Sequence, residues 1–228
     1  MFIDQWYIIL VLPAILLSLW ASANVNSTFK KYSKVMSRRG ITGAESARRV
    51  LSANGVYNVK IEYVRGNLTD HFDPTTNTIR LSDAVYNSTS VAAVGVAAHE
   101  AGHAVQYAEG YAPMKLRAAI IPATNIGSNL SMPLILLGII LGQPMLAEIG
   151  VLAFSLSTLF QLITVPVEFN ASSRALKAIS EGTTDENEVN GAKKVLKAAA
   201  LTYVAALAVS LANLLRLILI VNGSRRND

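Results

Sequence analysis

The stretch Val91–Glu109, with the sequence VAAVGVAAHEAGHAVQYAE, places a polar triplet within a segment made largely of alanine, valine and glycine. His99, Glu100 and His103 stand there in the order H-E-x-x-H. In an α-helix, residues four apart lie on one face, so both imidazoles can bind the same metal ion. Glu100 lies beside them, where its carboxylate can act as a general base toward water. The alternative is a buried helix whose histidines only hydrogen-bond to neighbours, but the chain has just 3 histidines, which favours the metal site.

The composition indicates a membrane protein. Of the 228 residues, 52% are hydrophobic and only 15% are charged, which is too apolar for an ordinary soluble domain. The chain has no cysteine, so any metal site must use His, Asp and Glu. A net charge of +5 is compatible with nucleic-acid binding, but the basic residues cluster beside the apolar segments. That distribution is typical of membrane proteins and predicts no nucleic-acid partner.

Four apolar runs are long enough to cross a bilayer. Phe2–Ala23 is followed, but not preceded, by basic residues, so we interpret it as an uncleaved anchor with its N-terminus outside rather than as a signal peptide. Ala118–Leu141 and Met145–Val167 are so close in sequence that they predict a tight antiparallel hairpin. The last run is Ala198–Val221, and the charge distribution predicts that the C-terminus also lies outside.

The segment between the first run and the HExxH motif predicts a small α+β cap. A capping box starts at Thr42 and opens a helix over residues 44–54. Alternating apolar residues predict strands over Tyr57–Val64 and Thr78–Ser82. His71 is assigned to a loop between these strands, just before a turn. The strand pair can present an edge to an extended peptide.

A polar stripe on the second hairpin run leads to the predicted third metal ligand. Ser157, Gln161, Thr164 and Glu168 recur at helical spacing, which indicates a face that avoids lipid. Hydrogen bonding between helices is the other explanation for the upper part of the stripe. A hairpin returns to the side that it left, so Glu168 comes back to the HExxH helix. Catalytic zinc takes three protein ligands, and Glu168 fits that role better than Glu109, which the helix carries to its far face.

The motifs of this chain resemble those of the YugP-type family of bacterial membrane zinc metallopeptidases. The similar segments are HEAGHA at 99–104, PVEFNASSRAL at 166–176, KYSKV at 31–35, GAESARRVL at 43–51, HFDPTTNTIRLS at 71–82 and AALTYVAAL at 199–207. More distantly, the chain resembles membrane gluzincins of the HtpX type, whose third ligand is the Glu of an E-x-x-x-D pattern. Glu168 matches that Glu, but Ser172 stands where those relatives have Asp. The resemblance implies a zinc-dependent peptidase with a cytoplasm-facing site.

These observations predict a mainly α fold. We expect an integral-membrane helical bundle of about four spans, with a gluzincin-like HExxH helix and a small α+β cytoplasmic cap. The predicted parts are an anchor at 1–23, the cap at 24–90, a metallopeptidase core at 91–197 that includes the hairpin at 118–167, and a last span with its tail at 198–228.

The predicted function is hydrolysis of peptide bonds by a bacterial membrane endopeptidase. One Zn²⁺ per chain is expected on His99, His103 and Glu168, with Glu100 as general base. The candidates for supporting the site or contacting substrate are His71, Asn170 and Ser172. The expected partners are a peptide or membrane-protein substrate and the lipid bilayer. The alternative is a non-enzymatic membrane scaffold or chaperone with a structural or relict metal site, but a relict site usually loses its base or a ligand.

One basic residue lies inside the last apolar run. Arg216 needs a partner or access to the interface there, because a charge within a span is costly. Glu148 enters its own span from the same predicted side at a similar depth. The sequence therefore predicts a structural pair between Arg216 and Glu148.

Overall fold

The computed structural model describes residues 4–66 and 68–224. Its chain forms two compact units. The first, called the membrane unit here, comprises Met1–Ala21, Lys115–Pro166 and Thr202–Asp228. The second, called the HExxH unit, comprises Ser22–Met114 and Val167–Leu201.

The structure is mainly helical, with one small sheet, as predicted. A π-helical segment, Tyr7–Val11, leads into the first regular helix. The elements that follow in chain order are α1 (Leu12–Tyr32), α2 (Gly43–Ala53), β1 (Lys60–Tyr63), β2 (His71–Asp73), β3 (Thr78–Leu81), α3 (Val91–Ala108), α4 (Ala112–Ile140), α5 (Pro144–Gly182) and α6 (Glu186–Ser224).

Within the residues that the structure describes, four helices are long and apolar enough to cross a membrane, which confirms the predicted number of candidate spans. They are α1 with its π-helical start, α4, α5 and α6. Helices α5 and α6 run for 39 residues each, well beyond their apolar runs. Both continue because the polar segments that adjoin the apolar runs also have good helix formers and no breaker strong enough to end the helix.

The predicted hairpin is formed by α4 and α5, which pack closely inside the membrane unit. A Cβ atom at Gly127 would lie 2.7 Å from the carbonyl oxygen of Ala153, and one at Gly150 would lie 2.7 Å from that of Ser131. Small residues let membrane helices approach to this distance. Gly142 makes the turn with a φ of 60°, a conformation that few other residues adopt readily.

Two residues of the polar stripe that precede Glu168 on α5 form hydrogen bonds. The hydroxyls of Ser157 and Ser128 form a hydrogen bond of 2.6 Å between α5 and α4. Thr164 donates to the carbonyl oxygen of Phe160 in its own helix at 2.8 Å. Hydrogen bonding therefore accounts for these two positions, while Glu168 at the end of the stripe belongs to the HExxH unit.

Arg216 is paired with a carboxylate in the membrane unit. Its Nη2 and Nε atoms lie 2.6 and 2.9 Å from Oδ2 of Asp4, and its guanidinium lies 5.3 Å from the centre of the Tyr7 ring. The prediction that this charge has a partner is confirmed. The partner that the structure shows is Asp4, which the sequence pattern did not single out, and a contact with Glu148 stays a prediction. The pair connects the start of the first candidate span with the C-terminal part of the last one.

The cap has the predicted helix but one strand more than predicted. Thr42 caps α2, since its hydroxyl accepts a hydrogen bond from the Glu45 amide at 3.2 Å. The sheet has the order β1-β3-β2, with β1 parallel and β2 antiparallel to β3. The assignment of His71 to a loop was wrong, because it is the first residue of β2. Three residues are too few to show an alternating pattern, so only the pairing with β3 defines this strand.

Helix α3 lies in the core of the HExxH unit, and its small residues allow its neighbours to approach closely. Ser90 caps its start by accepting a hydrogen bond from the Ala93 amide. A Cβ atom at Gly102 would lie 2.7 Å from the carbonyl oxygen of Ala171 in α5. One at Gly95 would lie 3.6 Å from Cβ of Ala192 in α6. This packing sets the HExxH residues directly against α5.

Candidate metal centre

His99 and His103 from α3 meet Glu168 from α5 inside the HExxH unit. Their Nε2 atoms lie 3.2 and 3.4 Å from Oε2 of Glu168, respectively. The three prospective ligand atoms all lie within 4.8 Å of one another. Glu168 and His103 are buried, so this carboxylate and this imidazole are held in fixed positions away from bulk water. The structure thus brings together the three residues that the sequence nominated as ligands.

The donor set of this cluster fits zinc. Two imidazole nitrogens and one carboxylate oxygen form a three-ligand set of the kind found in catalytic zinc sites. A buried carboxylate beside two imidazoles is also costly without a cation to balance it. Burial lowers the pKa of the His103 imidazole, but the neighbouring carboxylates of Glu168 and Glu100 outweigh burial and raise it above its usual value. The site therefore has the negative potential that attracts a cation.

Glu100 is available for proton transfer. Its side chain is buried, with 9% exposure, and it follows His99 directly on α3. Within residues 4–66 and 68–224, its carboxylate has no hydrogen-bond or ion-pair partner. Its negative charge also contributes to the raised pKa of the His103 imidazole. A carboxylate that no protein group occupies can accept a proton from water.

Gln106 fixes the orientation of His103. Its Oε1 lies 3.0 Å from Nδ1 of the imidazole, while its amide nitrogen donates to the carbonyl oxygen of Val167 and to Oδ1 of Asn170, both at 2.9 Å. Because the amide nitrogen is engaged on the other side, the oxygen must face the imidazole. Nδ1 therefore carries a hydrogen, and Nε2 is the nitrogen left to bind a metal ion together with Glu168.

Ser172 occupies the corresponding position at the other histidine. Its hydroxyl lies 3.1 Å from Nδ1 of His99, where it can accept the imidazole hydrogen. This is the position at which the distant HtpX-type relatives have Asp. The hydroxyl provides the hydrogen bond without adding a second negative charge to the buried site.

A chain of polar contacts links this support to the end of α3. Asn170 accepts a second hydrogen bond from Nε of Arg174 at 2.8 Å. Arg174 in turn pairs with Glu109, with Nη2 lying 2.7 Å from Oε2. Glu109, the rejected alternative ligand, thus lies outside the cluster, and the contacts hold α3 and α5 together around the site.

The remaining candidate, His71, does not join the cluster. It is exposed on β2, and its Nδ1 lies 2.8 Å from the carbonyl oxygen of Thr69. Conversely, Gln106 and Arg174 received no role from the sequence. Gln106 carries a detectable signal, because it is a lone amide in an apolar helix and lies one turn after a proposed ligand. Arg174 carries none, since a basic residue near the end of a span is common.

Fold and site together define a helical membrane protein with a buried cluster of two histidines and one glutamate that can hold a metal ion. The family model described as "Putative neutral zinc metallopeptidase" matches residues 7–222, and the chain belongs to this family. The chain is 52% identical over 223 residues to the "Putative membrane protease YugP" of Bacillus subtilis (strain 168), a match that covers 97% of this chain and 99% of that protein. The resemblance found in the sequence is thereby confirmed. No solved structure matches the chain.

Gln106→Leu is expected to lower zinc affinity by about 10- to 100-fold, because the leucine cannot hold the His103 tautomer. The affinity is measured on purified protein by competition with a chromophoric chelator. Gln161→Leu, a partly exposed position in the membrane unit, is the matched control and should leave the affinity unchanged. Equal affinities of both variants would show that Gln106 does not position the ligand.

Proposed function

We propose that this protein is a zinc-dependent membrane endopeptidase whose active centre consists of His99, His103, Glu168 and Glu100. The observation that carries the proposal is the convergence of the three ligand atoms within 4.8 Å beside a buried carboxylate with no described partner. Membership of a zinc metallopeptidase family supports a zinc protease in general. The roles of the individual residues and the endopeptidase chemistry are our proposal.

In this mechanism, His99, His103 and Glu168 would hold the zinc ion. When bound there, zinc would supply Lewis acidity toward a water molecule and a peptide carbonyl. The Glu100 carboxylate takes a proton from the water as the water oxygen attacks the carbonyl carbon. When the carbon–nitrogen bond breaks, Glu100 returns that proton to the leaving amine. Gln106 and Ser172 keep both imidazoles in the ligating tautomer throughout.

The outer edge of β2 is the proposed docking site for the substrate backbone. Among the strands in the described residues, β2 pairs only with β3, so its other edge has backbone groups available. The ring of Phe72 on β2 lies 5.8 Å from that of Tyr107 on α3, centre to centre, so β2 lies beside the HExxH helix. An extended peptide that adds to β2 would be held straight next to the metal centre.

We further propose that the site faces the cytoplasm of a bacterial cell. The basic residues concentrate after the first span and before the second and fourth, which is the pattern of cytoplasmic segments. Reporter fusions should place the cap, for example after Gly55, in the cytoplasm, and the Gly142 turn and the C-terminus outside. The Asp4–Arg216 pair supports the shared side of the two ends. A cytoplasmic C-terminal reporter would contradict this topology.

The first test of the proposed function is the metal content. Purified protein is expected to contain one zinc per chain by elemental mass spectrometry, and both His99→Ala and Glu168→Ala should lose it, because two remaining ligands bind too weakly. His71→Ala is the matched control, since this exposed histidine lies outside the cluster. Stoichiometric zinc that survives both ligand substitutions would refute the assignment.

A further inference from the structure

We propose that Tyr107 and Phe72 form the apolar wall of a substrate subsite that selects a large apolar side chain close to the scissile bond. The proposal rests on the proposed function and names the class of peptide that the site prefers. Such peptides occur in membrane-protein segments and in unfolded chains.

The position of Tyr107 links it to the metal centre. It follows His103 by four residues and His99 by eight, so all three lie along one side of α3. One helical turn, about 6 Å of rise, separates Tyr107 from His103. An extended peptide covers that distance in about two residues. A group that contacts Tyr107 therefore belongs to a residue very near the bond to be cleaved.

The exposure of Tyr107 is unusual for its helix. Most residues of α3 are buried, yet Tyr107 is 51% exposed. Within the described parts of the chain, its hydroxyl has no hydrogen-bond partner, so nothing polar fixes it. Its ring packs against Phe72 at a tilt of 57°. The result is an open aromatic surface beside a buried polar site.

The geometry of β2 places the rings of Phe72 and Tyr107 on the face onto which a side chain of a bound peptide would project. Phe72 is paired in register with the fully buried Ile79, so its side chain lies on the core-facing side of the sheet. Side chains alternate along a strand, and neighbours directly across from each other share a face. A peptide residue opposite Phe72 would therefore project onto the same face as Phe72, where Tyr107 lies. An apolar side chain there removes both rings from water.

The subsite predicts a measurable preference. Cleavage sites are mapped by mass spectrometry after the zinc-loaded, full-length protein has digested a complex peptide mixture in detergent. The strongest sites are then compared as peptide pairs that carry Leu or Ala at the preferred position. The wild-type protein is expected to favour Leu by about tenfold in kcat/KM. Tyr107→Ala and Phe72→Ala should each bring that ratio close to one, and Tyr107→Phe should preserve it.

The controls separate this inference from the proposed function. Tyr57→Ala removes a tyrosine that is 81% exposed and lies outside the helices and strands, so it should keep the wild-type ratio. Cleavage that depends on Glu100 but shows no apolar preference would overturn the subsite while leaving the peptidase intact. An equal loss for both peptides in Tyr107→Phe would also overturn it, because the hydroxyl would then act on the reaction itself.

A binding measurement tests the subsite without turnover. A labelled Leu peptide is titrated into the Glu100→Gln protein and followed by fluorescence anisotropy. Adding Tyr107→Ala should weaken its binding about tenfold and leave that of the Ala peptide nearly unchanged. Equal binding of the two peptides before and after this change would refute the subsite, even if no peptide is ever cleaved.

Discussion

Glu100→Gln is expected to lower kcat for peptide hydrolysis by roughly 10²- to 10⁴-fold while zinc remains bound. The amide has the size and shape of the carboxylate, so packing around α3 should hardly change. It cannot accept the proton of the attacking water, and it cannot deliver that proton to the leaving amine. Since Glu100 is not one of the three clustered ligands, metal content should match that of the wild-type protein.

This experiment compares hydrolysis and zinc content of the same preparations. Glu45→Gln is the matched control, because it removes one carboxylate from the exposed side of α2, where its ion pair with Arg49 contributes little. Undiminished proteolysis by Glu100→Gln would point to another base or to a contaminating protease. Zinc-loaded wild-type protein that hydrolyses no peptide at all would favour the alternative of a scaffold or chaperone with a structural metal.

The metal ligands could be nominated from the sequence because their positions follow from periodic structure. The spacing of His99 and His103 places both on one helical face, and a hairpin of two spans returns Glu168 to the side that the chain had left. Both arguments use only the pitch of a helix and the thickness of a bilayer. The structure brings these residues together, while their roles in binding and catalysis stay predictions for the experiments above.

The residues that contact and orient the proposed ligands could not be predicted from the sequence in the same way. The contacts of Gln106 with Val167 and Asn170 depend on how α3 docks against α5, which no local pattern specifies. Ser172 was noticed only as a departure from distant relatives, and its contact with His99 required the same docking geometry. Strand β2 escaped notice because three residues become a strand only through their partner. Asp4 is 212 positions away from Arg216. The sequence therefore showed that the arginine needs a partner, but not which residue the partner is.

Gly102→Ala is expected to move Glu168 on α5 away from His99 and His103 on α3. The added methyl group would lie 2.7 Å from the carbonyl oxygen of Ala171, and a backbone atom cannot rotate away as a side chain can. Helix α3 or α5 must therefore shift, which typically costs about 1–3 kcal/mol for an overpacked site. Because Glu168 reaches the histidines from α5, the same shift moves it relative to His99 and His103. Both the unfolding temperature and zinc affinity should fall.

Gly95→Ala provides a matched control on the same helix. It separates the effect of a close contact from the general effect of replacing glycine with alanine in a helix. Its methyl group would meet Cβ of Ala192 at 3.6 Å, an ordinary contact distance. Alanine is also favoured over glycine inside a helix by about 1 kcal/mol, a gain that both variants share. We therefore expect Gly95→Ala to unfold at the wild-type temperature or above it, with its zinc affinity retained, in thermal denaturation and chelator competition. If Gly102→Ala behaved in the same way, the close approach of α3 and α5 would not determine the geometry of the site.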